Sequence, residues 1–179
     1  MMDSTMDIKS KIRTIPDFPK KGIMFKDITT LLQDEHAFRH AVREMIHHFD
    51  GRKIHKVASA ESRGFIFGSI LAYELHAGFV PLRKPGKLPS KSIKLEFTTE
   101  YSTDAFEIHA DAIRPGENVL IVDDLLATGG TAKAAAVLVE KLGGRITGFC
   151  FLIELSFLRG RDKLKGYDIF SLIDYDKEE

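Results

Sequence analysis

Two periodicities alternate along these 179 residues. Short, mostly apolar runs at 57–60, 79–82, 119–122, 146–153 and 169–173 read as strands, and 119–122, uninterrupted, has the texture of a strand buried on both faces of a parallel sheet. Between them the apolar residues recur every three or four positions. Phe38, Ala41, Val42, Met45, Ile46 and Phe49 make one stripe on a helix that Asp34 caps and that ends near Gly51. Residues 65–76 and the Ala-rich 132–142 read as further helices, the second closed by Gly143 and Gly144. Ile8, Ile12 and Ile15 predict a short amphipathic helix that stops before Pro16, and 155–163 a short basic helix. Residues 16–28 follow neither period, and their spaced prolines and aromatics predict a loop packed down by its own side chains. From 92 to 109 the texture shifts to Thr, Phe, Tyr and Ile with partial alternation, broken at 102–104, as in a projecting β-hairpin. Strands alternating with helices predict an α/β fold, a doubly wound, mostly parallel sheet whose ligands lie outside the carboxyl ends of the strands.

Length and composition narrow this picture. The chain suits one domain, 1–179, with a substantial core. Lys plus Arg equals Asp plus Glu at 26 each, so charge offers no argument for nucleic acid or a membrane surface. The one cysteine, Cys150, sits in an apolar run; it excludes an internal disulfide framework and reads as a buried, inert thiol suited to a reducing compartment. No run approaches a membrane span and residues 1–7 lack the apolar core of a signal peptide, so a cytoplasmic location is expected. His47 and His48 are neighbours on a helix, point in different directions, and make a poor metal pair.

The chemistry gathers at 119–131, Val-Leu-Ile-Val-Asp-Asp-Leu-Leu-Ala-Thr-Gly-Gly-Thr. Strand, loop and helix follow one another. Gly129 and Gly130 allow a tight turn close to a ligand, and the free amides opening the next helix, with the hydroxyls of Thr128 and Thr131, suit a phosphate monoester. No Lys or Arg lies in the loop, so amides and helix dipole carry the binding. Asp123 and Asp124, read as ending the strand, would accept hydrogen bonds from ribose hydroxyls. Neither a Walker A loop nor a dinucleotide fingerprint is present. Two further loops reach the same sheet edge: Glu61-Ser62-Arg63-Gly64, and the basic Arg83-Lys84-Pro85-Gly86-Lys87-Leu88-Pro89, suited to a polyanion.

Together with Asp17-Phe18-Pro19, Gly22, Phe25-Lys26-Asp27-Ile28 and Glu100-Tyr101, these segments resemble the adenine phosphoribosyltransferase family within the type I phosphoribosyltransferases. The resemblance runs from about Ile15 to Leu172. It implies a type I phosphoribosyltransferase core, about 31–179, with a small N-terminal hood, about 1–30. It further implies transfer of phosphoribosyl from its pyrophosphate to adenine, giving AMP and pyrophosphate in purine salvage, with Mg2+ as cofactor and a homodimer as the usual assembly. By the same resemblance Asp123, Asp124, Ala127, Thr128, Gly129, Gly130 and Thr131 hold the ribose and 5-phosphate, and Arg63, Arg83, Lys84 and Lys87 the pyrophosphate. Met24, Phe25 and Lys26 take the adenine, with 155–158 as an opposite wall; Glu100 handles a proton on the purine and Tyr101 helps close the hairpin. Magnesium would be bound through substrate and water near Asp123 and Asp124. Lys26 departs from the Arg of many members and keeps the charge without the planar fork. Two other readings stay open: transfer to xanthine, guanine or hypoxanthine, and a regulatory protein that senses phosphoribosyl pyrophosphate. Against the second stand the lack of room for a DNA-binding domain and the absence of net basic charge.

Overall fold

The computed structural model describes residues 7–98 and 103–178. Its centre is a five-stranded parallel sheet. In chain order the strands are β1 (Arg13–Ile15), β2 (Phe25–Asp27), β3 (Lys56–Ala60), β4 (Gly78–Leu82), β5 (Ser92–Thr98), β6 (Thr103–His109), β7 (Asn118–Leu126), β8 (Arg145–Leu155) and β9 (Ile169–Tyr175). The helices are α1 (Thr29–Gln33), α2 (Glu35–Phe49), α3 (Gly64–Glu74) and α4 (Gly130–Lys141). The sheet order is β4-β3-β7-β8-β9, every pairing parallel.

Alternation along the central strands sends neighbouring side chains to opposite faces. Leu120 and Val122 of β7, with Cys150 and Leu152 of β8, meet Met45 and Phe49 of α2 and Phe67 and Leu71 of α3. Val119 and Ile121, with Phe149 and Phe151, meet the Ala-rich face of α4 and Phe106 and Ile108 of the hairpin. Both faces are therefore covered, as the apolar run at 119–122 requires. Asp34 caps α2 by accepting from the amides of His36 and Ala37 at 3.1 and 3.0 Å. Pro81 lies in β4, an edge strand, where a missing amide donor is tolerated.

Several local readings change. Residues 8–15 form a three-residue 3-10 turn, Lys9–Lys11, followed by β1, because Arg13, Thr14 and Ile15 pair antiparallel with Asp27, Lys26 and Phe25. Ile8 and Ile12 are buried, so their spacing marked burial rather than an α-helix. Within 16–28 the chain turns as expected: the Gly22 amide donates to Asp17 at 2.7 Å and Phe18 packs edge-on against Phe25. Residues 155–163 are no single helix. They form two 3-10 turns, Ser156–Leu158 and Gly160–Leu164, broken by Arg159 at φ 55°. The hairpin pairs from Ser92↔His109 to Thr98↔Thr103, so Thr103 and Asp104 belong to the strand rather than to a break. One of its faces packs on the core through Phe106 and Ile108, and Arg83 bridges to Glu107 beside it.

Candidate active site

The order of the sheet reverses between β3 and β7, since the chain leaves β3 for β4 on one side and returns to β7 on the other. At such a switch point the loops leaving the carboxyl ends diverge and open a crevice. A polar cavity of about 510 Å³ lies there, walled by residues 60–63, Lys84, Asp104, Phe106 and residues 123–132. It brings together the acid pair, the small-residue loop, Arg63 and Lys84.

β7 does not stop at the acids. It runs on to Leu126, because Asp123 pairs with Phe151 and Leu125 with Ile153 of the long β8. The two carboxylates are near enough to act on each other, and both line the cavity. The Oδ1 of Asp123 accepts from the Asp124 amide at 2.9 Å, and a Cβ on Gly64 would lie 2.7 Å from that same oxygen, so the glycine opening α3 makes room for the acid. Asp124 pairs with Arg63 Nε at 2.7 Å, and the Arg63 guanidinium stands 5.3 Å from the Phe25 ring centroid. Atoms crowded round the Asp123 carboxyl strip its hydration and raise its pKa well above the usual carboxylate range, with the Asp124 charge adding to the rise. Burial raises Asp124 as well, against the opposing charge of Arg63.

The loop after β7 takes its shape from Gly129, which adopts φ 79° and caps α4, an angle costly to any residue with a Cβ. The first helical bond runs from the Lys133 amide to the Gly129 carbonyl at 2.9 Å, leaving the amides before it to point out of the helix end. A Cβ on Gly129 would meet the Gly160 carbonyl at 2.5 Å, so the turn after β8 presses against this loop from behind.

The basic loop divides its cations. Lys84 lines the cavity and its ammonium pairs with Asp104 of β6. Arg83 and Lys87 are turned instead to Glu61, at 3.3 and 3.0 Å, and the Lys84 amide donates to Glu61 at 2.5 Å. Burial works to raise the pKa of Glu61, yet these three donors hold it below its ordinary value. Glu61 and Asp104 are thus the organisers of the basic loop. The sequence did not disclose this, because their partners are about 20 residues away in the chain.

A second cavity, about 400 Å³, adjoins the first and shares Leu125, Ala127 and Thr128 with it. Its other walls are residues 23–26, Leu155, Phe157, Leu158 and Glu178. Met24, Phe25 and Lys26 therefore meet the late 3-10 turn across one apolar space. The Lys26 side chain leaves that space: its Nζ donates to Thr14 at 2.9 Å and sits 4.1 Å from the Tyr175 ring at the end of β9. Glu100 and Tyr101 lie outside the described residues. Among the described residues no group of three or more acids, histidines or cysteines is gathered for a metal.

A family model described as phosphoribosyl transferase domain matches residues 26–178. An adenine phosphoribosyltransferase of Clostridium perfringens is 57% identical over 171 residues, spanning 96% of this chain and 99% of that protein. Among solved structures, the adenine phosphoribosyltransferase of Thermoanaerobacter pseudethanolicus superposes with a TM-score of 0.91 at 56% identity, over 94% of this chain and 98% of that one. The enzyme of Saccharomyces cerevisiae, complexed with adenine and an imino-altritol bisphosphate, gives 0.86 at 41% identity, over 92% and 96%. The chain belongs to the phosphoribosyltransferase family, and within it to the adenine phosphoribosyltransferases.

Proposed function

We propose that the protein transfers the 5-phosphoribosyl group from its 1-pyrophosphate to adenine, releasing AMP and pyrophosphate, in purine salvage. The observation that carries this reading is the pair of adjoining cavities. One is lined by acids, amides and a lysine and the other by Phe25, Leu155, Phe157 and Leu158, with Leu125, Ala127 and Thr128 as their shared wall. A sugar phosphate fits the first and a flat, neutral base the second, so their junction is where the glycosidic bond forms. The adenine bound to the yeast relative supports the choice of base.

In this reading the amides of 128–131, at the N-terminus of α4, grip the 5-phosphate, and Asp123 and Asp124 accept hydrogen bonds from the ribose hydroxyls. The N9 nitrogen of adenine attacks the anomeric carbon as the bond to pyrophosphate breaks, and the purine gives up one proton. Positive charge gathers on the sugar and negative charge on the leaving group. The acid pair steadies the first, and Arg63 and Lys84 the second, with Arg83 and Lys87 held close by on Glu61. Phe25 packs on the base, while the main chain of Met24 and Lys26 reads its edge. Glu100 takes the proton and Tyr101 helps cover the site. The carboxylates of Asp123 and Asp124, both lining the polar cavity, fit magnesium held through substrate and water; they would meet the ion's waters, and the ion would supply positive charge to neutralise the leaving group.

The chain works as one domain, hood about 1–30 and core about 31–179, in the cytoplasm, and as a homodimer. Its lone buried cysteine suits the reducing compartment. The test offers purified protein magnesium and phosphoribosyl pyrophosphate with adenine, hypoxanthine, guanine and xanthine in parallel. AMP alone is the expected product. Another nucleotide would overturn the assignment of the base, and tight phosphoribosyl pyrophosphate binding without any nucleotide would replace the enzyme by a sensor.

A further inference from the structure

Behind the phosphate loop lies a polar cluster that touches neither cavity. Glu154, one residue from the end of β8, has a side chain only 5% exposed. Arg161 grips it with both prongs, Nε to Oε1 and Nη2 to Oε2, each at 2.7 Å. The Ser171 hydroxyl donates to Oε2 at 2.6 Å, and Arg161 reaches Ser171 at 3.3 Å and the Ile169 carbonyl at 3.2 Å. One guanidinium therefore staples the 3-10 turn Gly160–Leu164 to both β8 and β9. Two parallel bonds to a carboxylate fix orientation as well as distance, which an ammonium does not.

What the staple holds is the residue next to it. A Cβ on Gly160 would lie 2.2 Å from the Ala127 carbonyl and 3.1 Å from the Gly129 amide nitrogen. The Gly160 backbone thus lies flat against Ala127 and Gly129, in the first half of the loop that presents the phosphate-facing amides. Arg159, at φ 55°, reverses the chain just before it, and Leu164, fully buried, anchors the turn just after. An amide cradle binds an anion well only if its donors already converge, since any freedom left in the loop is lost on binding.

We propose that Arg161, through Glu154, is a positioning residue for the 5-phosphate loop, holding Gly160 as the floor against which residues 127–129 are set. The proposal rests on the reading of 127–131 as the 5-phosphate seat. It assigns Arg161 no contact with substrate and no part in pyrophosphate binding, which uses loops on the other side of the crevice.

The experiment measures, by calorimetry, the dissociation constants of ribose 5-phosphate and of magnesium pyrophosphate for the wild-type protein and for Arg161→Lys and Ser171→Ala, with thermal unfolding of each. Arg161→Lys is expected to weaken ribose 5-phosphate about tenfold, as loss of an outer supporting bond commonly does, and to leave pyrophosphate within about twofold. Ser171→Ala, which removes one of the bonds to Oε2, should act in the same direction and less strongly; it decides the matter if Arg161→Lys fails to unfold cooperatively. Equal weakening of both ligands would overturn the proposal and make the staple a general support of the fold. Unchanged ribose 5-phosphate affinity would overturn it too. A wild-type protein that binds pyrophosphate and not ribose 5-phosphate would instead remove the phosphate seat itself, and the proposal with it.

Discussion

At Asp123 the protein has placed a carboxylate where ionisation is opposed. Burial and the charge of Asp124 raise its pKa well above the unfolded value, so the native state holds this proton more tightly than the unfolded chain does. As pH rises from the unfolded value towards the folded one, stability is lost, and at neutral pH the acid pair strains the free protein. Asp27 acts the other way. The Arg13 fork, with the amide and hydroxyl of Thr29, lowers it to about 2, so its contribution is whole above the unfolded value of 3.8 and vanishes as pH falls towards 2. Arg13 is more than half exposed, and screening keeps that contribution on the order of 1 kcal/mol. Asp123→Asn should therefore raise the unfolding temperature of the free protein by a few degrees at pH 7, a gain that disappears below about pH 4. The same change should weaken phosphoribosyl pyrophosphate at least tenfold, the usual conflict between a poised site and a relaxed one. Thermal unfolding from pH 3 to 8, with binding at pH 7, checks both. A lower unfolding temperature at pH 7 would mean that the local bonds outweigh burial.

Between elements, closeness is set by small residues. Where α3 crosses β3, a Cβ on Gly68 would stand 2.0 Å from the Ser59 hydroxyl oxygen and 2.8 Å from its Cβ, while that hydroxyl donates to the Val122 carbonyl of β7 at 2.7 Å. Helix, strand and neighbouring strand meet here with no slack. Gly68→Ala should cost about 1–3 kcal/mol of overpacking. Adding Ser59→Gly clears the space, and the double variant should be more stable than Gly68→Ala alone, with a favourable coupling of roughly 1 kcal/mol in urea unfolding. Additive losses would place the strain elsewhere. Such contacts explain what the sequence did and did not disclose about elements. The central strands, α2 with its Asp34 cap and α4 with its glycine end announce themselves through local pattern. Residues 155–163 have helical texture, but the left-handed turn at Arg159 and the contact of Gly160 with Ala127 override it. β7 outlasts its apolar run because β8 pairs with it as far as Leu126. Each exception was decided by a partner distant in the chain.

For the molecule as a whole, the same rule divides the site. The loop at 127–131 and the acid pair were legible because a ligand-binding turn at a strand's end uses consecutive residues. The roles of Glu61, Asp104 and Glu154 were not, since each depends on cations brought in by folding. One part of the surface is aromatic and exposed. Tyr73 of α3 is 79% exposed, and Phe79 of the edge strand β4, 37% exposed, stands edge-on to Phe65 at 5.5 Å. Apolar residues occupy most of α3, as in a helix covered on more than one side. An exposed tyrosine on a largely apolar helix suits a second copy of the chain, in keeping with the proposed homodimer. Sedimentation at micromolar concentration should then give twice the mass of the chain. Tyr73→Lys puts an ammonium at the seam and should raise the dimer dissociation constant at least tenfold, making the unfolding temperature fall on dilution. Because Tyr73 lines neither cavity, nucleotide formation by the separated chains reports whether each crevice is sufficient alone. A wild-type protein sedimenting at the mass of one chain would rule out the dimer, and a dimer indifferent to Tyr73→Lys would move its interface off α3.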